Sequence, residues 1–178
     1  MKLFHVSEES NIDKFVPRIP KRNDLEKSKG LVWALNERCL SNFLTPRDCP
    51  RVTYHINDQT TEEDISKFFS AASRHCVVIE HGWHVKMLET KLYIYEFNDT
   101  NFYLQDEQAG YYVSEHTEIP ISVTLYNNLY EELFSRNVEI RLLNNLWDLA
   151  EMVKKSSLNW SLCRMANAIP KVLLKVKF

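Results

Sequence analysis

NERCLSNFLTPRDCPR, running from Asn36 to Arg51, carries an amphipathic half-helix straight into a corner that sets two arginines, a carboxylate and a thiol between two prolines. Asn36 is placed to cap a helix ending near Leu44, before Pro46, and Arg51 opens a strand that reaches Ile56. Pro46 and Pro50 fix φ at their own positions and push Thr45 and Cys49 into extended geometry. Arg47, Asp48 and Arg51 therefore ride on stiff backbone. A stiff arginine pair suits an anion, which makes these three residues candidate ligand-binding groups; the plainer alternative is that Asp48 pairs with a neighbouring arginine and only locks the turn.

Outward from this corner the chain alternates short strands and short helices without a regular period. Leu3–Ser7, Leu31–Leu35 and Cys76–Ile79 read as short apolar strands. Thr60 followed by Glu63 forms a capping box, and Ile65, Phe68, Phe69 and Ala72 supply an apolar stripe at helical spacing. His81–Glu89 is expected to be a short helix. Leu92–Phe97 is a strand with apolar residues on both faces, so both are expected to be covered. Asn98-Asp99-Thr100 turns into Phe102–Gln105, and Tyr111–Ser114 and Ile119–Leu125 complete a strand-rich centre. Tyr126–Arg136, Leu146–Lys155 and Ser161–Ala168 read as helices and Val138–Leu142 as a strand. The pattern predicts an α+β fold of roughly seven to nine short strands in two packed, mostly antiparallel sheets around a cleft, with peripheral helices.

Composition excludes several classes. The 178 residues suit one domain spanning residues 1–178, and 44% hydrophobic content is ample for a core. Lysine plus arginine numbers 22 against 24 acidic residues, which argues against general nucleic-acid binding. No apolar run is long enough to span a bilayer, and MKLFHVSEES lacks a signal-peptide pattern, so a cytoplasmic setting without membrane contact is expected. With only Gly30, Gly82 and Gly110 available, neither a GxGxxG fingerprint nor a Walker loop can be assembled. Pro17–Lys29 is polar, basic and proline-broken, and reads as a mobile surface loop.

The four cysteines, Cys39, Cys49, Cys76 and Cys163, form no CxxC pair and are expected to be reduced thiols. Cys76, His81 and His84 lie close in sequence but lack the spacing of a zinc site, so no metal is expected. Cys49 sits near Arg47 and Arg51, which would lower its pKa, yet no histidine is near it in sequence, and a structural thiol is the better reading.

LFHVSEES, LVWALNE, PRDCPR, TKLYIYEF, AGYYVSE, NLWDL and RMANAIP together resemble a family of uncharacterised bacterial proteins of about this length. More distantly, a histidine in the first strand, an aromatic second strand feeding a helix, and the late AGYYVSEHTEIP strand resemble the ADP-ribosyltransferase fold, including its RNA 2′-phosphotransferase branch. That resemblance implies that His5 holds a ribose hydroxyl of NAD, that backbone beside Ser7 holds the nicotinamide amide, and that Trp33, Tyr95 or Tyr112 stacks on the ring. Alternation puts His5 and Ser7 on one face of their strand, as this requires. The family's glutamate has no direct counterpart, since Gly110 or Tyr111 falls at its place; Glu107 and Glu115 are the nearest carboxylates, each requiring a shifted register. The phosphotransferase branch would instead use His5 with Arg47, Arg51 and Arg164. Two function classes follow: a transferase handling NAD, a similar nucleotide or a phosphate, with His5, Glu107 and Glu115 as candidate catalytic residues, or a module on the same fold that binds a small ligand or protein without turnover.

Overall fold

A computed structural model describes residues 1–19, 28–70 and 72–171. Most of the loop expected over Pro17–Lys29 lies outside the described residues. Ten strands are described: β1 (Lys2–Ser7), β2 (Val32–Asn36), β3 (Arg51–His55), β4 (His75–Glu80), β5 (Leu92–Asn98), β6 (Tyr103–Asp106), β7 (Tyr111–Ser114), β8 (Ser122–Tyr126), β9 (Val138–Leu143) and β10 (Asn159–Cys163). They form a six-stranded sheet ordered β6-β7-β2-β1-β5-β8 and a four-stranded sheet ordered β10-β3-β4-β9. Only the β4–β9 pair is parallel, so the fold is α+β with two mostly antiparallel sheets. The five α-helices among the described residues are short: α1 (Glu37–Leu40), α2 (Glu62–Phe68), α3 (His84–Glu89), α4 (Leu129–Ser135) and α5 (Trp147–Val153).

Period-two alternation decides which layer each residue joins. On β4, Val77 and Ile79 face a core shared with Phe4, Leu92 and Ile94 of the larger sheet, sealed by Leu40, Leu129 and Leu133. Cys76 and Val78 face the other way, into a core with Val52, Tyr54, Phe68 and Leu149. The apolar run CVVI is thus a strand covered on both faces. β5 is covered likewise: Leu92 and Ile94 join the shared core while Tyr95 and Phe97 join Leu3 and Ala34 on the outer face. Each such buried side chain contributes roughly 1.5–3 kcal/mol relative to exposure.

Asn36 caps α1 as expected, its side chain accepting from the Cys39 amide at 3.0 Å. Gly110 is required beside that cap. Its φ is +65°, and a Cβ there would sit 2.6 Å from Asn36 Oδ1 and 2.7 Å from Cys39 Sγ.

Three expectations need correction. The α2 cap is Thr61, whose hydroxyl accepts from the Asp64 amide, whereas Thr60 Oγ1 accepts from the Asn57 amide in the preceding turn. The helix expected from Tyr126 begins at Leu129 behind an Asn128 cap, because Tyr126 is held by β5 through its pairing with Leu92. Ser161–Ala168 is not a helix. Asn159–Cys163 pairs with β3 over five residues, Trp160 and Leu162 pack on the α5 side of the four-stranded sheet, and Arg164, in a left-handed conformation at φ 55°, ends the strand before a 3₁₀ turn at Met165–Asn167. Alternation of Trp160 and Leu162 with Ser161 and Cys163 carries the strand signal that outweighed helical propensity.

No helix among the described residues is long and apolar enough to cross a membrane.

Candidate functional site

β1 pairs with β5 along its whole length, from Lys2 to Ser7, but with β2 only at Leu3 and Phe4. Beyond Phe4 the two strands separate. The ladder is replaced there by a side-chain bond, with His5 Nδ1 donating to the Trp33 carbonyl at 2.9 Å. A carbonyl can only accept, so the proton sits on Nδ1 and His5 presents Nε2 as an acceptor. Into this opening fits a cleft of about 520 Å³.

Four groups build its walls. His5 and Ser7 come from β1, Val32 and Trp33 from the start of β2 with Leu31 just before it, Phe15 and Arg18 from the excursion between those strands, and Arg47 and Arg164 from the four-stranded-sheet side. Phe15 packs on His5 with ring centroids 4.7 Å apart, and Tyr111 meets Trp33 edge-on at 5.3 Å. Phe15 is held by a two-way backbone bridge to Glu118, and Arg18 by one to Leu31. Tyr95 shapes the rim from beneath, donating to the Glu9 carbonyl at 2.7 Å and accepting from the Ile12 amide at 3.2 Å.

The cleft is cationic in a chain of net charge −2. Lys14, Arg18, Arg47 and Arg164 line it against Glu9, the single lining carboxylate among the described residues. Burial holds the His5 pKa below its ordinary value, against the opposing Trp33 carbonyl, and the Arg47 and Arg18 charges lower it further. His5 is therefore neutral at neutral pH.

The proline corner is fixed from outside. The Arg47 amide donates to Glu8 Oε1 at 2.9 Å, Arg164 Nε donates to the Arg47 carbonyl at 3.2 Å, and Asn167 Nδ2 donates to the Asp48 carbonyl at 2.8 Å. The Ile169 amide donates to the buried Glu80 carboxylate at 2.9 Å, fastening the same segment. Arg164 holds a backbone conformation that costs a non-glycine residue roughly 1–2 kcal/mol.

Of the residues singled out by sequence, the structure brings His5, Ser7, Trp33, Arg47 and Arg164 to one cleft. The others go elsewhere. Arg51 turns inward, its Nε donating to the Asn42 carbonyl at 2.6 Å and its Nη1 to the Cys49 carbonyl at 3.1 Å, with Phe43 beneath it. The Asp48 carboxylate is exposed and braces neither corner arginine; Arg164 Nε lies 4.0 Å from it. Tyr112 packs on the outer face of the six-stranded sheet. Glu115 pairs with Lys29 at 2.9 Å and accepts from Tyr103, while the backbone carbonyl of Glu107 accepts from Arg38. Neither carboxylate lines the cleft. Burial pushes the Cys49 thiol up to about 12, which removes it as a nucleophile. Among the described residues no group of three or more His, Cys, Asp or Glu is placed to hold a metal ion.

Sequence reasoning missed Lys14, Phe15, Arg18 and Glu9. They lie in ESNIDKFVPR, residues 9–18, which has neither period, and only the turn-back of that segment over β1 brings them to His5.

The chain belongs to a family of unknown function, DUF6886, whose family model matches residues 4–168. No curated protein and no solved structure matches it.

Proposed function

We propose that the cleft binds a nucleotide carrying at least one phosphate, of the NAD type, within a single domain of ADP-ribosyltransferase-like design. The observation that carries this reading is the convergence of a fixed, neutral histidine and an aromatic wall with four cations at the point where β1 and β2 part. A flat apolar wall suits a base or nicotinamide ring, and arginine pairs well with phosphate. In this reading His5 Nε2 accepts a ribose hydroxyl, Trp33 and Phe15 flank the ring, and Arg47 and Arg164 take the phosphate.

A second reading, binding without turnover, is favoured by the placement of Glu107 and Glu115 outside the cleft. Among the described residues, Glu9 is the cleft carboxylate that a transfer reaction would use. Calorimetric titration with NAD, ADP-ribose and AMP tests the binding. Saturable binding is expected for the wild type, weakened at least tenfold in His5→Ala and in Arg47→Ala, with both variants checked for folding by circular dichroism. Absence of binding to all three at millimolar concentration would sink the nucleotide reading. Release of nicotinamide from bound NAD, abolished by Glu9→Gln with affinity retained, would separate transfer from binding alone.

A further inference from the structure

Because β1 and β2 part within the six-stranded sheet, the cleft draws its lining from both faces of that sheet. Alternation puts His5 on the outer face with Leu3, and Trp33 on the inner face, since its neighbour Ala34 joins the outer cluster. The cations arrive from the same two layers. Lys14 and Arg18 belong to the excursion between β1 and β2, whose Phe15 packs on the outer face against Tyr95 and Phe97. Arg47 and Arg164 come from the proline corner and the end of β10, on the side of the four-stranded sheet, which packs against the inner face. The groups at the gap itself are uncharged: the neutral His5 ring, the Trp33 indole and, behind them, an apolar hollow of about 130 Å³ lined by Phe4, Val6, Leu35 and Phe43. Arg47 and Arg18 both lower the His5 pKa, so one ring feels the charge of both layers. Beside it, Ser7 Oγ accepts from the Glu9 amide at 3.1 Å and keeps its hydrogen to donate.

Resting on the reading of this cleft as a nucleotide site, we propose that its ligand is a nucleoside bisphosphate. Arg47 and Arg164 hold a phosphate on the 5′ oxygen, and Lys14 and Arg18 hold a second phosphate on the 2′ or 3′ oxygen of the same ribose. The layering of charge selects this class. A pyrophosphate keeps its two phosphorus atoms one oxygen apart on one side of the ribose, so it neutralises one pair of cations and leaves the other pair without an anion. Phosphates on opposite sides of a ribose put an uncharged sugar between two anions, which matches cation pairs from two layers with uncharged groups at the gap. The one ribose hydroxyl left unesterified is then the group that donates to His5 Nε2. Each arginine offers phosphate a forked donor, and Lys14 adds a point charge on the outer side.

Adenosine 3′,5′-bisphosphate, adenosine 2′,5′-bisphosphate and ADP are isomers, so comparing them separates the position of the second phosphate from its presence. In calorimetric titration of the full chain with these three and with AMP, one bisphosphate should bind about tenfold or more tightly than ADP. The tighter of the two bisphosphates names the oxygen that carries the phosphate. Arg18→Ala and Lys14→Ala should each bring the ratio of bisphosphate to ADP affinity toward one, whereas Arg47→Ala should weaken all four ligands. A partly unfolded variant would lower the active fraction for every ligand alike and leave that ratio unmoved, and circular dichroism checks each fold independently. ADP bound as tightly as both bisphosphates, or a preference unmoved by both outer substitutions, would overturn the inference while the nucleotide reading stands. Failure of all four to bind at millimolar concentration would overturn both.

Discussion

The cleft at the end of β1 and the polar seam beneath the proline corner use the same residue types and differ in what those residues are left free to do. In the seam, Arg51 donates to the carbonyls of Asn42 and Cys49, Asn42 Oδ1 accepts from His75 Nε2 at 2.7 Å, and the His75 ring lies 5.2 Å from that of His55. Donors there meet acceptors of the protein itself. In the cleft, His5 uses one ring nitrogen on Trp33 and keeps the other as an acceptor, while Arg47 is held by its backbone alone and its guanidinium faces the opening. A histidine and an arginine therefore do not mark a site by being present. What marks it is hydrogen-bonding capacity that the fold fixes in place and does not fill.

Acid should separate the two regions most strongly. Burial lowers the pKa of His55 to about 4 and that of His75 to about 3, from the ordinary 6.5. Below 6.5 the unfolded chain takes up protons that the folded chain refuses. The stability these neutral rings contribute is complete above that pH and falls progressively toward pH 4, by on the order of 3 kcal/mol per ring. Urea unfolding over that range should show the loss, and His75→Gln should flatten the slope. A wild-type midpoint constant from pH 7 to 4 would mean that the seam is open to water.

The arginine pair of the corner offers the next largest contrast. Arg51→Met leaves two carbonyls without their charged donor and should cost roughly 3 kcal/mol in chemical denaturation. Arg47→Ala should stay within about 0.5 kcal/mol while removing most of the nucleotide affinity. Equal destabilisation by both substitutions would erase the distinction drawn between them.

The smallest effect concerns Arg164, whose backbone conformation glycine would adopt without strain. Arg164→Gly should leave stability unchanged or raise it by up to about 1 kcal/mol, since the backbone gain opposes the loss of the bond to the Arg47 carbonyl. Nucleotide binding should weaken even so. A clear loss of stability in denaturant melts would show that the side chain serves the fold before the cleft.

Local sequence carried the elements whose causes are local. The Asn36 cap, the alternation in Leu92–Phe97 and the rigid corner between Pro46 and Pro50 follow from side-chain chemistry within a few residues, and they were legible without a structure. His5 and Ser7 sharing a face followed from the same alternation, and their β5 partners, Tyr95 and Tyr93, share that face. Other features depend on residues far apart in the chain. Ser161–Cys163 became a strand because β3 offered an edge more than a hundred residues upstream. The cleft exists because β1 keeps β5 and leaves β2 after Phe4, a choice that no pattern inside LFHVS records. The fates of Arg47 and Arg51 were decided in the same way. Both are stiffened by the same prolines, but only the packing of Asn42, Phe43 and Cys49 around one, and of Glu8 and Arg164 around the other, settled which guanidinium is sealed and which stays free. Backbone stiffness is a property of neighbours in sequence, whereas the filling of hydrogen-bonding capacity is a property of neighbours in space.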